Sequence, residues 1–143
     1  MNHVISRSVA DTRRMGVRLS KKLTGGEIVL LKGPLGAGKT EFVSGLASGF
    51  GIKKRIISPT FILEHRYPFT KAGRKLTLCH LDLYRIKGTK ELTFMAPDDV
   101  GTKDYVFVIE WPKILEKKLP RTRITVNLAY GKKENERTIR IEP

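Results

Sequence analysis

A chain of 143 residues, 40% hydrophobic and 29% charged, has the length of one domain and the composition of a soluble globular protein. No apolar run approaches the roughly 20 residues that a bilayer crossing needs, the start of the chain carries His3, Arg7, Arg13 and Arg14 in place of a signal peptide's apolar stretch, and Cys79 has no second cysteine to pair with. The expectation is a single cytosolic domain over 1–143 that is strongly basic, with 28 Lys and Arg against 14 Asp and Glu and a net charge of +14.

The excess charge suits a nucleic-acid partner, and it also suits a solvated cationic surface, because it is scattered in short groups such as Lys53, Lys54, Arg55 and Lys132, Lys133. Residues 3–7 predict a first strand. From about residue 10 to 23, Thr12, Met15, Gly16, Leu19 and Leu23 recur at helical spacing and predict a helix with that face inward. Arg14, Arg18, Lys21 and Lys22 fall on the other side, as on a solvated helix face. Gly25 and Gly26 close this unit.

The run Ile28-Val29-Leu30-Leu31 is apolar without alternation, which predicts a strand of a parallel sheet covered on both faces. A glycine-rich stretch follows at once, and then a helix from Thr40 to about Phe50 with Phe42, Val43, Leu46, Ala47 and Phe50 buried. Residues 55–57 predict a short strand, and 61–69 with 76–83 a hairpin closed around 71–75. A short helix is expected at 90–95, a turn at 97–99, and a strongly apolar strand at 105–109 that ends in Glu110. Two alternating strands near 123–129 and 137–141 are expected to be antiparallel and peripheral. The fold class is therefore α/β: a mostly parallel central sheet with antiparallel hairpin additions and helices on both faces.

Residues 33–40, GPLGAGKT, satisfy G-x-x-x-x-G-K-T with Gly33, Gly38, Lys39 and Thr40. In such a phosphate loop, glycines let backbone N–H groups turn toward phosphates, the lysine reaches the β- and γ-phosphates, and the threonine hydroxyl serves Mg²⁺. Placement between a buried strand and a helix is the context this motif requires. Ligands of open α/β sheets lie beyond the carboxyl ends of the strands. Glu110 is thus placed like the acidic residue that holds Mg²⁺ directly or through water, and Asp82 is placed to orient an attacking water or join the outer sphere of the metal. Ser58-Pro59-Thr60 reads either as a switch segment sensing the γ-phosphate or as a plain turn. Trp111 belongs to the site edge, to a partner surface or to the core, and His80 reads as a hydrogen-bonded structural histidine. A small kinase would need a lid-sized insertion, which is absent from the sequence, and a GTPase would need an N-K-x-D segment, which Thr102-Lys103-Asp104 does not supply. A plain nucleic-acid-binding module leaves residues 33–40 unexplained.

GPLGAGKT, SPTF at 58–61, Tyr67, HLDLYR at 80–85 and EWP at 110–112, in that order, closely resemble the TsaE family. The resemblance runs from Asp11-Thr12 to the last strand. It implies a bacterial ATPase, using ATP and Mg²⁺, required for threonylcarbamoylation of tRNA adenosine at position 37. It also implies TsaB and TsaD homologues as partners, with any tRNA contact indirect or weak. By the same resemblance Leu35, Gly36, Ala37, Gly38, Lys39 and Thr40 line the phosphates, Thr40 and Glu110 hold the metal, and Lys39, Asp82 and Glu110 carry catalysis. Val9 and Thr12 border the adenine, Arg137 matches a family arginine near the nucleotide, and Trp111 lies beside nucleotide and partner. The family usually has aspartate where this chain has Pro34, so only the backbone can serve there.

Overall fold

The computed structural model describes residues 2–59, 64–87, 100–120 and 122–143. The expected helix at 90–95, the turn at 97–99, the opening residues 61–63 of the hairpin and Thr60 of the Ser58-Pro59-Thr60 segment lie outside the described residues. In chain order the elements are β1 (Asn2–Ser6), α1 (Val9–Ser20), β2 (Ile28–Lys32), α2 (Lys39–Gly49), β3 (Glu64–Lys71), β4 (Arg74–Asp82), β5 (Tyr105–Glu110), β6 (Ile124–Tyr130) and β7 (Arg137–Glu142). Two 3-10 turns, Pro112–Ile114 and Glu116–Lys118, follow β5.

One mixed sheet runs in the order β1-β7-β6-β2-β5-β4-β3. β2 is parallel to both β5 and β6, and β4 is parallel to β5, while β7 and β3 run against their neighbours. The carboxyl ends of β2, β4, β5 and β6 therefore meet at one edge. β2 is buried along Ile28–Leu31, as its unbroken apolar run requires.

One face of the sheet packs Val29, Leu31, Val106, Val108, Val126 and Leu128 against α1, α2 and Leu23 just after α1, the helices contributing Met15, Leu19, Phe42, Val43 and Leu46. The other face buries Ile28, Leu30, Cys79, Leu81, Phe107 and Ile109, against which Ile114, Leu115 and Leu119 of the 3-10 region pack. Cys79 is thus a buried strand residue. The two long helices cross closely because Gly16 and Gly45 lie at the contact. A Cβ on Gly45 would stand 1.9 Å from the Arg13 carbonyl oxygen, and one on Gly16 would stand 2.3 Å from that of Phe42.

Several boundaries move for local reasons. Ser8 caps α1 by accepting from the Asp11 N–H at 3.0 Å, while Asp11 accepts from the Arg7 N–H at 2.9 Å, so the helix begins at Val9. It ends at Ser20, before the expected 23, and Lys71 donates to the Ser20 carbonyl oxygen at 2.8 Å. The β3–β4 hairpin turns more tightly than expected: Lys71 pairs with Arg74 across Ala72 and Gly73, both at positive φ, the two-residue turn that matches strand twist. Residues 55–57 form no strand and run as unpaired chain beside the sheet. The reading of 123–129 as peripheral is also corrected. β6 does pair antiparallel with β7, but its other edge runs parallel to β2, inside the sheet. Its alternation of buried Val126 and Leu128 with half-buried Thr125 and Asn127 reflects incomplete cover on one face rather than an edge position. Among the described residues no helix is long and apolar enough to cross a membrane.

Candidate functional site

The turn from β2 into α2 is built by three glycines. Gly33, Gly36 and Gly38 have φ of 153°, 77° and 100°, conformations that L side chains avoid. Gly33 is required for a second reason, since a Cβ there would stand 2.4 Å from the Leu128 carbonyl oxygen of β6. Gly38 is the cap residue of α2 and offers no side chain to it. The first-turn N–H groups of a helix have no intrahelical partner, and together with the helix dipole they form an anion site. Ala37 is buried beneath the loop, and Leu35 stands 58% exposed at its tip.

The loop is gripped by the neighbouring β6–β7 hairpin. The Tyr130 hydroxyl donates to the Leu35 carbonyl, Arg137 Nη2 donates to the Gly36 carbonyl at 3.2 Å, and the guanidinium lies 5.0 Å from the Tyr130 ring centroid. Within the loop, Lys39 is buried and donates from Nζ to the Gly33 and Pro34 carbonyl oxygens at 2.6 and 2.9 Å. Burial holds its ammonium below the ordinary lysine range, opposed by the negative charges of Glu110 and Asp82. Thr40 is the second residue of α2, one step beyond this lysine.

The carboxylates reach the loop through strand register. Asp82 and Glu110 end β4 and β5 and are direct partners across the parallel ladder, and Glu110 is also paired with Leu31 of β2. Glu110 is buried, with Oε2 at 2.5 Å from Nε2 of fully buried His80. Asp82 accepts from the Ser58 hydroxyl at 2.8 Å through Oδ2 and from the Tyr84 N–H at 3.0 Å through Oδ1. The segment carrying Ser58 is thereby tied to the strand end. Trp111, next after Glu110, has φ 56° and ψ 56°, a left-handed conformation that non-glycine residues seldom adopt and that clusters at functional sites. It turns its ring over the loop, 4.1 Å from Lys39 Nζ and 4.8 Å from the Tyr84 ring.

On the other side of the loop a cavity of about 400 Å³ is lined by Arg7, Ser8, Val9 and Thr12 at the start of α1, by Gly36 and Gly38, and by Glu41, Asn135 and Arg137. Val9 is exposed at its rim, and Thr12 is buried with Oγ1 2.7 Å from Ser6 Oγ. The site residues expected from the sequence that lie among the described residues therefore gather at the carboxyl edge of the sheet. Arg7, Ser8, Glu41, Asn135 and Tyr130 join them without having been expected, and His80, expected as a hydrogen-bonded structural histidine, makes its bond to Glu110. The Ser8-x-x-Asp11 cap was legible as an N-terminus signal; Tyr130 and Asn135 carried no local signal, because strand pairing alone brings them to the loop.

The donor set fits Mg²⁺. Thr40, Asp82 and Glu110 offer hard oxygens, and Mg²⁺ is ordinarily held by one or two carboxylates with substrate phosphates rather than by an all-protein cage. Among the described residues no group of three His, Cys, Asp or Glu side chains forms such a cage. A strand, a glycine turn at positive φ and a helix with a buried lysine at its start, set in an α/β sheet, define a P-loop nucleotide-binding protein.

The comparisons give the family. The model of the family described as "Threonylcarbamoyl adenosine biosynthesis protein TsaE" matches residues 6–139, and the chain belongs to that family. It is 40% identical over 129 residues to the tRNA threonylcarbamoyladenosine biosynthesis protein TsaE of Treponema pallidum, covering 87% of this chain and 88% of that one. The Nostoc protein of the same name is 38% identical over 136 residues, covering 93% of this chain and 80% of its own. The crystal structure of Bacillus subtilis YdiB superposes with a TM-score of 0.73 at 27% identity, covering 96% of this chain and 82% of that one.

Proposed function

We propose that this chain is a Mg²⁺-dependent ATPase whose turnover supports threonylcarbamoylation of tRNA, acting in the cytoplasm with TsaB and TsaD homologues. The observation that carries the reading is the convergence of Lys39, Asp82 and Glu110 under one glycine loop at the end of β2. The names of the Treponema and Nostoc relatives supply the pathway.

In this reading the N–H groups of Leu35, Gly36, Ala37, Gly38, Lys39 and Thr40 cradle the phosphates. Lys39 leaves the Gly33 and Pro34 carbonyls to meet the charge that develops on the transferring phosphoryl group. Thr40 and Glu110 hold Mg²⁺, which neutralises phosphate charge when bound. Asp82 orients the attacking water, and release of its Ser58 bond is what frees an oxygen for that task. Val9, Thr12 and Arg137 border the base at the 400 Å³ cavity, and Trp111 covers the phosphate side toward the partner.

Phosphate release from ATP and from GTP, measured alone and with purified TsaB and TsaD homologues, tests this function. Slow ATP-selective turnover that rises with the partners, together with ATP-dependent recovery of modified tRNA, is expected. Equal use of GTP, or full multi-turnover modification without this chain, would refute it. The exposed Arg14, Arg18, Lys21 and Lys22 of the α1 region accompany weak tRNA binding without sequence preference that fades as salt rises.

A further inference from the structure

We infer that His80 is a positioning residue for Glu110, acting through it on the metal, an inference that rests on the metal role proposed above for Glu110. Leu78, His80 and Asp82 alternate along β4 on the face toward α1 and α2, and β5 places Val106, Val108 and Glu110 on the same face. His80 is paired with Val108 in the ladder and stands one pleat below the Asp82–Glu110 step. An aliphatic side chain would complete this layer. An imidazole stands there instead, fully buried, and its single side-chain hydrogen bond among the described residues is to Glu110.

The partners assign its proton. An ionised carboxylate only accepts, so Nε2 carries the hydrogen and donates to Oε2. Nδ1 is buried with no partner among the described residues, a placement tolerable for a bare lone pair and far less so for an N–H. The geometry therefore assigns the imidazole hydrogen to Nε2.

That bond has a consequence at the loop. Glu110 and Lys39 attract each other across a buried space, and a freely rotating carboxylate would turn onto the ammonium and withdraw both groups from the nucleotide. With Oε2 fixed by His80, the Lys39 ammonium rests instead on the Gly33 and Pro34 carbonyls, and Oε1 is the oxygen that His80 does not engage. Outer partners that orient a metal-binding side chain in this way change metal affinity by about 10-fold to 100-fold when removed.

The test uses the whole chain and does not depend on turnover. Long-range ¹H–¹⁵N spectra of the unsubstituted protein report the imidazole tautomer directly, with Nε2–H expected and Nδ1–H overturning the inference. Calorimetric ATP binding is then measured with Mg²⁺ and with EDTA for Glu110→Gln, His80→Leu, His80→Gln and the Glu110→Gln/His80→Leu pair. In EDTA none of the four should lose as much affinity as it does with Mg²⁺. With Mg²⁺, Glu110→Gln and His80→Leu should each lose on the order of 10-fold in affinity, the pair no more than either alone, and His80→Gln, whose amide can donate, much less. Loss in Glu110→Gln with none in His80→Leu refutes positioning but leaves the metal role standing. No loss in Glu110→Gln refutes the metal role and the inference with it. Should His80→Leu fail to fold, the tautomer and the His80→Gln binding decide, since His80→Gln falling as far as Glu110→Gln is the outcome opposed to the inference.

Discussion

The Nζ of Lys39 lies 4.1 Å from the centroid of the Trp111 ring, so the phosphate-loop lysine is held between its own loop carbonyls and the sole tryptophan of the chain. A cation over an indole face is an attraction that desolvation strengthens. When Lys39 moves to phosphates this contact is lost. Tryptophan emission should therefore change on adding ATP or ADP, saturating with nucleotide. Lys39→Ala should show the changed emission without nucleotide and no further response. An ATP titration that saturates binding by calorimetry without altering emission would refute the exchange.

Lys39→Ala should abolish ATP hydrolysis and weaken nucleotide binding, because it removes the one fixed positive charge seated inside the loop. Thr40→Ala is expected to act through Mg²⁺ instead, with a defect that shrinks as Mg²⁺ is raised. Steady-state phosphate release over a Mg²⁺ series separates the two, and identical Mg²⁺ responses would contradict the division of roles.

Both oxygens of Asp82 are engaged, by Ser58 Oγ and by the Tyr84 N–H. Asp82→Asn should lose hydrolysis with Mg²⁺·ATP affinity nearly intact. Ser58→Ala removes a tether and not a reacting group, so its effect on kcat should be smaller, within about 10-fold on the scale of a single hydrogen bond. Comparing kcat with calorimetric affinity checks both, and a severe affinity loss in Asp82→Asn would move that carboxylate into direct metal contact.

The β6–β7 hairpin grips the loop through Tyr130 and Arg137. Tyr130→Phe keeps the ring under the guanidinium and removes only the bond to the Leu35 carbonyl. It should weaken ADP binding several-fold, or roughly 1 kcal/mol for one hydrogen bond. Arg137→Ala should weaken it more, since that residue also lines the 400 Å³ cavity. Binding titrations at fixed Mg²⁺ measure both, and Arg137→Ala with parental affinity would separate the cavity from the nucleotide.

Gly45→Ala should destabilise the fold without touching the site. Its Cβ would lie 1.9 Å from the Arg13 carbonyl oxygen, a backbone atom that cannot move aside without parting α1 from α2. Overpacking of this kind costs about 1–3 kcal/mol, which is a fall in Tm of roughly 3–12 °C for a domain of this size. Differential scanning calorimetry reads the shift, and an unchanged Tm would mean that the helices are not in close contact there.

The local parts of this protein were written in short stretches of chain. Ile28–Leu31 reads as a doubly covered strand because each residue is apolar, and Gly33 to Thr40 reads as a phosphate loop because positive φ, a following helix and a lysine at its start are local requirements. The inward faces of both helices follow from a 3.6-residue period for the same reason. Tertiary structure decided what depends on pairing between distant strands. The alternation of β6 suits an edge strand as well as an interior one with one thinly covered face, and only its parallel ladder with β2 places Leu128 against Gly33 and Tyr130 against Leu35. Residues 55–57 satisfy β-propensity yet form no strand, because propensity is local and pairing is not. His80 and Glu110 are 30 residues apart, and neither carries a sign of the other in its own segment; the register of β4 on β5 makes them partners.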